Sequence, residues 1–310
     1  MLQQTQVMPV IPYFERWMES FPNLADLAKA PLDDVLAHWS GLGYYDRARN
    51  LHKAAVLCIE QHGGELPENA KDLSALPGIG QSTANAIISQ STDQPAAVLD
   101  GNVRRVLARH AAIEGWTGTP SVQNQLWKEA ESRLPTNRGA DYTQAVMDLG
   151  ALMCTRFNPI CGQCPVDTDC QALILDKISE LPSPRPATKV SDKTTHMLIL
   201  KDELGRVLLE KRPPAGIWGG LWCLPEGDSV ATIEAAIGFS DTRATALPIV
   251  EHRLSHIRMT IHPALATATD ARQVKCGGQR DWFDPAQQRK LGLPKPVTDL
   301  LKRLTNGEFE

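Results

Sequence analysis

The chain has 310 residues, of which 42% are hydrophobic and 22% charged, and its formal net charge is −4. This composition is typical of globular domains and excludes disordered and fibrous chains. The length predicts about two domains, since single cores stop growing at roughly 250 to 300 residues. Apolar runs are too short for a membrane helix and the N-terminus lacks a signal-peptide pattern, so we expect a cytoplasmic protein without membrane contact. The slight negative charge means that any nucleic-acid contact must be local.

The first part of the chain has the apolar spacing of helices. From residue 21 to about 175, apolar residues recur every three or four positions, as they do at 32–39 and 103–107. This spacing predicts an all-α domain over residues 1–175. Residues 176–193 contain three prolines at alternate positions among charged residues. That composition predicts a semi-rigid, extended linker.

After this linker the period of the pattern changes to that of strands. Apolar runs on both sides of Asp-Glu-Leu-Gly at 202–205 predict a β-hairpin. The apolar stretch at 257–264 predicts a further strand, and the spacing at 297–304 predicts a closing helix. Residues 194–310 are therefore expected to form an α+β domain.

Four of the seven cysteines lie close together with the spacing C-x6-C-x2-C-x5-C. In a reducing compartment such a group indicates a metal site rather than a disulfide framework. Zinc and an iron–sulfur cluster can both be held by four thiolates. Zinc ribbons usually contain two C-x2-C pairs, whereas this group contains a single pair, Cys161 and Cys164. The spacing therefore favours a cluster over zinc, and four unrelated buried cysteines are the remaining alternative. The candidate ligands are Cys154, Cys161, Cys164 and Cys170.

A turn rich in proline and glycine precedes one of the helices. Leu76-Pro77-Gly78-Ile79-Gly80 is followed by Gln81-Ser82 at the start of an apolar helix. The backbone N–H groups of such a turn and of the helix N-terminus can bind a DNA phosphate without basic side chains. The alternative is an ordinary turn between two helices.

Asp100 follows the apolar residues Val98 and Leu99 and precedes a glycine and an amphipathic helix. The local sequence favours a helix N-cap that accepts backbone N–H bonds over a carboxylate with a chemical role.

Taken in order, these features resemble the helix-hairpin-helix DNA glycosylases with an iron–sulfur loop, the endonuclease III superfamily. Three further segments resemble the MutY-type adenine DNA glycosylases within it. They are Met-Leu-Gln-Gln-Thr-Gln-Val at 1–7, Gly-Leu-Gly-Tyr-Tyr at 41–45 with Arg-Asn-Leu at 49–51, and Met-Asp-Leu-Gly-Ala at 147–151. The resemblance covers nearly the whole chain.

The resemblance implies a monomeric enzyme of base excision repair that removes adenine mispaired with 8-oxoguanine or guanine in double-stranded DNA. It implies that Asp100 stabilises the oxocarbenium-like sugar and that the turn at 76–80 binds phosphate. Gln4 and Tyr44 match residues that wedge into the base stack, although Tyr44 could instead pack in a core beside Tyr45. The four cysteines match the ligands of a [4Fe–4S] cluster, expected to brace a DNA-facing loop.

Ser82 matches the position at which bifunctional relatives carry a nucleophilic lysine. A hydroxyl there cannot form a Schiff base, so we expect a monofunctional glycosylase without strong lyase activity. Ser82 is counted with the turn as a candidate DNA contact, and the alternative is an ordinary helix residue. A bifunctional thymine-glycol-type glycosylase is disfavoured for the same reason.

The second domain resembles the NUDIX-like recognition domain of the same family through Trp-Gly-Gly-Leu-Trp at 218–222 and Pro225. A NUDIX hydrolase needs several glutamates for Mg²⁺, but the segment after Gly227 carries Glu234 alone, so we expect no pyrophosphatase site. Leu254-Ser255-His256 matches a Phe-Ser-His loop that touches 8-oxoguanine. Ser255 and His256 are therefore candidates to hydrogen-bond the lesion, or else side chains that face solvent.

The family has a general-acid glutamate two residues before the methionine that matches Met1, together with further helices upstream. We therefore expect either a start placed at an internal methionine or a true variant that lacks those helices. In the second case the alternative function is a lesion-binding protein that cannot excise adenine, because loss of a general acid commonly costs ~10²–10⁴-fold in rate.

Overall fold

The computed structural model describes residues 1–3, 5, 7–186, 190–239, 244–254, 256–269, 271, 274–276 and 279–309. The chain divides into two compact units. The mixed unit combines Met1–Glu60 with Thr188–Glu310, and the helical unit is Gln61–Ala187. In the described part of the chain, no helix is both long and apolar enough to cross a membrane.

The mixed unit begins with helices that enclose an aromatic core. The ring centroids of Trp17 and Trp39 lie 5.6 Å apart in an edge-on arrangement, and Trp17 also meets Phe21 at 4.9 Å. Leu221, from the later part of the chain, is fully buried in the same cluster. The helices are α1 (Val7–Ser20), α2 (Leu24–Lys29), α3 (Leu32–His38) and α4 (Asp46–Gln61).

The helical unit confirms the predicted all-α character of this part of the chain. Its core packs Leu99, Val103 and Leu107 against Leu126. The elements are α5 (Ala70–Ala75), α6 (Gln81–Thr92), α7 (Gly101–His110), α8 (Pro120–Ser132), α9 (Gly139–Asp148) and α10 (Gln171–Ile174), with a π-helical turn at Leu149–Met153 and a 3₁₀ turn at Cys161–Gln163.

In the described residues, the later part of the mixed unit forms an eight-stranded mixed sheet. The strands are β1 (Ser191–Asp202), β2 (Val207–Lys211), β3 (Trp222–Cys223), β4 (Glu226–Gly227), β5 (Thr245–Ala246), β6 (Val250–Arg253), β7 (Ile257–Ala268) and β8 (Arg280–Phe283). Strands β3, β2, β1, β7 and β5 are successive neighbours, while β4 pairs with β1, β6 with β7 and β8 with β2. The predicted hairpin is confirmed: Asp202 accepts hydrogen bonds from the backbone N–H groups of Leu204 and Arg206 at 3.0 and 2.8 Å.

Both faces of this sheet are covered, as the near-continuous burial of β1 requires. Met197 and Ile199 face a cluster completed by the closing helix α13, which spans Lys295–Thr305. Leu198 and Leu200 face the opposite cluster, which includes Ile233 of α11 (Val230–Ile237). A short helix, α12 (Pro285–Gln288), precedes α13. The α+β expectation and the predicted closing helix are confirmed.

Several contacts within the mixed unit join its first sixty residues to the sheet region. Lys211 Nζ lies 2.6 Å from Asp33 Oδ1, and Tyr45 Oη donates to the Leu293 carbonyl at 3.0 Å.

Part of the predicted linker, residues 176–193, packs within the helical unit. Leu181 is 3% exposed there, and Ser183 Oγ accepts a hydrogen bond from Gly115 N at 3.0 Å. The predicted boundaries at 1–175, 176–193 and 194–310 stay a prediction.

Candidate functional site

Asp100 is the N-cap of α7. Its backbone is extended, and its Oδ1 accepts a hydrogen bond from Val103 N at 2.7 Å. A carboxylate at this position stabilises the helix through the unpaired amides of the first turn and the helix dipole. The cap predicted from the sequence is therefore confirmed. Oδ2 accepts no hydrogen bond from the described residues, so the same carboxylate keeps an oxygen for other chemistry.

The segment that leads to Asp100 is held by side chains from two helices. Ser82 Oγ accepts from Leu99 N at 2.9 Å, and Asn85 Nδ2 donates to the Ala97 carbonyl at 2.7 Å. Arg104 Nε donates to the Leu99 carbonyl at 3.2 Å. Ser82 is thus more than an ordinary helix residue, because its hydroxyl fixes the residue before Asp100.

The turn between α5 and α6 exposes backbone donors. Leu76 is 4% exposed and belongs to the interior, whereas an added Cβ at Gly80 would meet nothing within 4 Å. Gly78 has φ +78°, which favours glycine. Gly80 is the N-cap of α6 and makes no side-chain cap, so the first amides of this helix remain available for an anion.

The π-helical turn after α9 approaches the start of α7 very closely. A Cβ at Gly150 would lie 2.7 Å from Asn102 Cβ, so only glycine fits here. Arg105 Nη2 donates to the Gly150 carbonyl at 2.5 Å, and its Nε donates to the Cys154 carbonyl at 2.6 Å. The helix capped by Asp100 is therefore bonded directly to the start of the cysteine segment.

Arg109, one turn further along α7, is 2% exposed and also bonds this segment. Its Nη1 lies 3.3 Å from Cys154 Sγ and donates to the Thr155 carbonyl at 2.8 Å, while its Nε donates to the Leu181 carbonyl at 2.8 Å. A buried guanidinium needs acceptors for its donors, and this segment supplies them.

The four predicted cysteine ligands line one cavity, together with apolar residues such as Ile160 and Leu173. Within the described residues, none of the four forms a disulfide. Burial raises the pKa of Cys161, and the neighbouring cysteines raise it further. In the described part of the chain, no group of three or more His, Cys, Asp or Glu side chains is arranged to hold a single metal ion.

A cleft in the mixed unit brings together residues from distant parts of the sequence. Tyr44 and Arg49 line it from the start of the chain, and Trp218, Leu254 and His256 line it from the later part. Tyr44 is 53% exposed, so it does not pack in a core; Tyr45 is the more buried neighbour. The cleft therefore joins two of the predicted DNA contacts, Tyr44 and His256.

Leu254, which replaces an aromatic residue in the family pattern, packs against the core of the sheet. Its backbone N donates to the Ile257 carbonyl at 2.9 Å, which closes the turn between β6 and β7. His256 is exposed beside this turn. Two predicted contacts, Gln4 and Ser255, lie outside the described residues.

Three residues shape the cleft and its surroundings in ways that sequence reasoning did not predict. Arg49 and Trp218 were recognised as parts of matching segments, but without a role, and Arg47 was not singled out. Arg49 donates to the Gly219 carbonyl and, at 2.6 Å, to Asp46 Oδ1. Trp218 has φ +55° and packs against two core clusters. Arg47 bonds several backbone carbonyls, and such contacts depend on tertiary packing.

A helix-hairpin-helix turn, a capping aspartate and a four-cysteine segment define the class of base-excision DNA glycosylases. The model of the HhH-GPD superfamily of base excision DNA repair proteins matches residues 1–132, and a NUDIX domain model matches residues 195–303. The chain is 34% identical to the adenine DNA glycosylase of Buchnera aphidicola subsp. Baizongia pistaciae over 98% of its own length and 87% of that protein. The chain belongs to the adenine DNA glycosylase family.

Other relatives match parts of the chain. The adenine DNA glycosylase of Mus musculus is 47% identical over 56% of this chain and 34% of that protein. A solved structure of a thermostable thymine-DNA glycosylase is 26% identical, with a TM-score of 0.49, and the match covers 56% of this chain and 80% of that one.

Proposed function

We propose that this glycosylase removes adenine mispaired with 8-oxoguanine, or with guanine, in double-stranded DNA. The observation that carries the proposal is the cleft that Tyr44 and His256 both line. An exposed aromatic ring and an imidazole in one cleft offer a stacking surface and a hydrogen-bonding group for a base. Stacking and hydrogen bonding are the means by which proteins read bases taken out of normal pairing.

On the adenine side, Asp100 is the proposed catalytic residue. Adenine is a poor leaving group, so the base must take up a proton as the glycosidic bond breaks, and the sugar develops positive charge. The carboxylate oxygen that is not engaged in the cap would stabilise that charge until water adds at C1′. The bonds from Ser82, Asn85 and Arg104 to the preceding residues support a fixed position for this carboxylate.

The enzyme is proposed to be monofunctional. The hydroxyl of Ser82 already accepts a hydrogen bond from Leu99 N, and it cannot form a Schiff base with C1′. The backbone donors at Gly78 and Gly80 and the first turn of α6 are proposed to bind a phosphate. Ser82 and Leu76 would act there through the backbone, because their side chains face the protein.

On the lesion side, Tyr44 and Gln4 are proposed to enter the base stack, and His256 and Ser255 to hydrogen-bond 8-oxoguanine. The exposure of Tyr44 and His256 supports this assignment. Leu254 would contribute packing rather than stacking, because an aliphatic side chain has no π-face.

We propose that Cys154, Cys161, Cys164 and Cys170 hold a [4Fe–4S] cluster. Such a cluster takes four cysteine thiolates as ligands. Four cysteines around one cavity are the donor set that such a cluster needs, and they support the proposal. The cluster would cross-link residues 154–170. Arg105 and Arg109, which lie on α7, already bond the start of this segment through the Cys154 and Thr155 carbonyls.

The experiment compares four duplexes that place adenine opposite 8-oxoguanine, guanine or thymine, or thymine opposite 8-oxoguanine. Free adenine is measured after incubation with the full chain, and borohydride trapping is run in parallel. Release from the first two duplexes without trapping supports the proposal. Preferential binding of the first duplex without release would instead support the lesion-binding alternative, and trapping would contradict a monofunctional enzyme.

A further inference from the structure

Arg47, near the start of α4, bonds the backbone of two separate segments. Its Nη1 donates to the carbonyls of Met1, at 2.7 Å, and Gln3. Its Nη2 donates to Thr5 Oγ1 at 3.1 Å and to the Gly43 carbonyl at 3.2 Å. One guanidinium therefore joins residues on both sides of position 4 to the residue just before Tyr44.

The same guanidinium lies between a buried and an exposed aromatic ring. Arg47 Cζ is 5.2 Å from the ring centroid of Trp39 and 5.6 Å from that of Tyr44. Trp39 is 1% exposed, and its Nε1 donates to the Gly43 carbonyl at 3.1 Å. Arg47 is thus supported from the core on one side and supports the Tyr44 ring on the other.

We infer that Arg47 is a positioning residue that sets the proposed DNA wedge Tyr44, and the backbone of Gln3 and the Thr5 hydroxyl, for extrusion of the adenine. The inference rests on the proposed function. Arginine suits this role because its planar donors reach several carbonyls at once and its face stacks on rings. Lysine keeps the positive charge, but it has neither the planar, forked donors of a guanidinium nor a flat face that stacks on a ring.

The test measures base extrusion, which requires no bond cleavage. Adenine opposite 8-oxoguanine is replaced by 2-aminopurine, whose fluorescence rises when it leaves the stack, and the protein is saturating so that affinity does not limit the signal. We expect Arg47→Lys to reduce the fluorescence increase about fivefold or more, and we expect the same of Tyr44→Ala, because small displacements of positioning groups are costly. Arg16→Lys is the matched control, since Arg16 stacks on Tyr13 at 4.8 Å outside these segments.

A double variant shows whether Arg47 acts through Tyr44. In the Arg47→Lys, Tyr44→Ala double variant, the fluorescence increase should fall by a smaller factor than the product of the two single-variant factors, because both changes remove one shared interaction. The inference would be overturned if Arg47→Lys extrudes the base like wild type, or if the two single-variant factors simply multiply in the double variant.

A second variant serves if Arg47→Lys does not fold, as judged by circular dichroism. Thr5→Val removes one hydrogen-bond partner of Arg47 and should also reduce extrusion. Unchanged extrusion in Thr5→Val would contradict the positioning role of Arg47.

The wild-type chain separates the two levels of this proposal. If it neither binds the 8-oxoguanine duplex in preference to an adenine–thymine duplex nor extrudes the base, the proposed function fails. If it does both and Arg47→Lys does the same, the inference alone fails.

Discussion

Ser82 Oγ accepts a hydrogen bond from the backbone N–H of Leu99 at 2.9 Å, which fixes the first turn of α6 to the residue before Asp100. Leu99 is 1% exposed. A donor at such a site has no water to replace a lost partner. The helix that begins at the proposed phosphate-binding turn and the proposed catalytic carboxylate are therefore positioned together.

Ser82→Ala should lower the free energy of unfolding by about 1–3 kcal/mol, because it leaves the buried Leu99 N–H without an acceptor. Denaturant unfolding followed by circular dichroism measures the change. Ser91→Ala is the control on the same helix, since the exposed Ser91 hydroxyl only donates to the Ile87 carbonyl one turn away. Equal stabilities for the two variants would show that the Leu99 bond contributes nothing.

His256→Ala should reduce the preference for 8-oxoguanine over guanine opposite adenine by about two- to tenfold, the value of one hydrogen bond. The preference is the ratio of kcat/KM on the two duplexes, or of affinities if the chain does not excise. His62→Gln, in the helical unit, is the matched control. An unchanged ratio in His256→Ala would remove this residue from lesion recognition.

Cys164→Ala should abolish stoichiometric iron and the visible absorption of the purified protein, because one cluster ligand is lost. Iron analysis and absorption spectroscopy measure both. Cys276→Ala, which changes an exposed cysteine outside the cavity, should retain them. Bound zinc instead of iron in the wild-type protein would contradict the proposed cluster.

Stability should decrease as the pH falls below about 6.5, the ordinary pKa of histidine. Burial and the nearby Arg133 lower the pKa of His110, so the unfolded chain takes up a proton that the folded chain resists. The contribution is present above the unfolded pKa and is lost at lower pH. His110→Gln should reduce the loss between pH 7.5 and roughly 5.5. The free energy of unfolding is measured by denaturant titration at each pH. If it changes with pH in His110→Gln as it does in wild type, His110 is not responsible.

Local causes made part of the fold predictable. The hairpin at 202–205 depends on Asp202 and its neighbours, and the cap at Asp100 depends on Val103, so both are visible in a short window of sequence. Helix α1 was not predicted. It contains Pro12, and a proline inside a helix removes a backbone hydrogen bond and normally indicates a helix end.

The candidate site was predictable in its residue types but not in its assembly. Tyr44 and His256 were recognised through a resemblance, whereas their meeting in one cleft depends on how β6, β7 and the loop around Trp218 pack. The same holds for the bonds that Arg47, Arg105 and Arg109 make to distant carbonyls. Such contacts are set by tertiary packing, which no local spacing encodes.

The most direct test of the proposed function compares Asp100→Asn with Asp100→Ala in release of adenine opposite 8-oxoguanine. Asparagine caps helices as well as aspartate does, so Asp100→Asn should keep the stability and lesion binding of wild type while adenine release is abolished. Asp100→Ala should lose release and about 1 kcal/mol of stability. Adenine release by Asp100→Asn at the wild-type rate would contradict the proposed catalytic role and leave Asp100 as a helix cap alone.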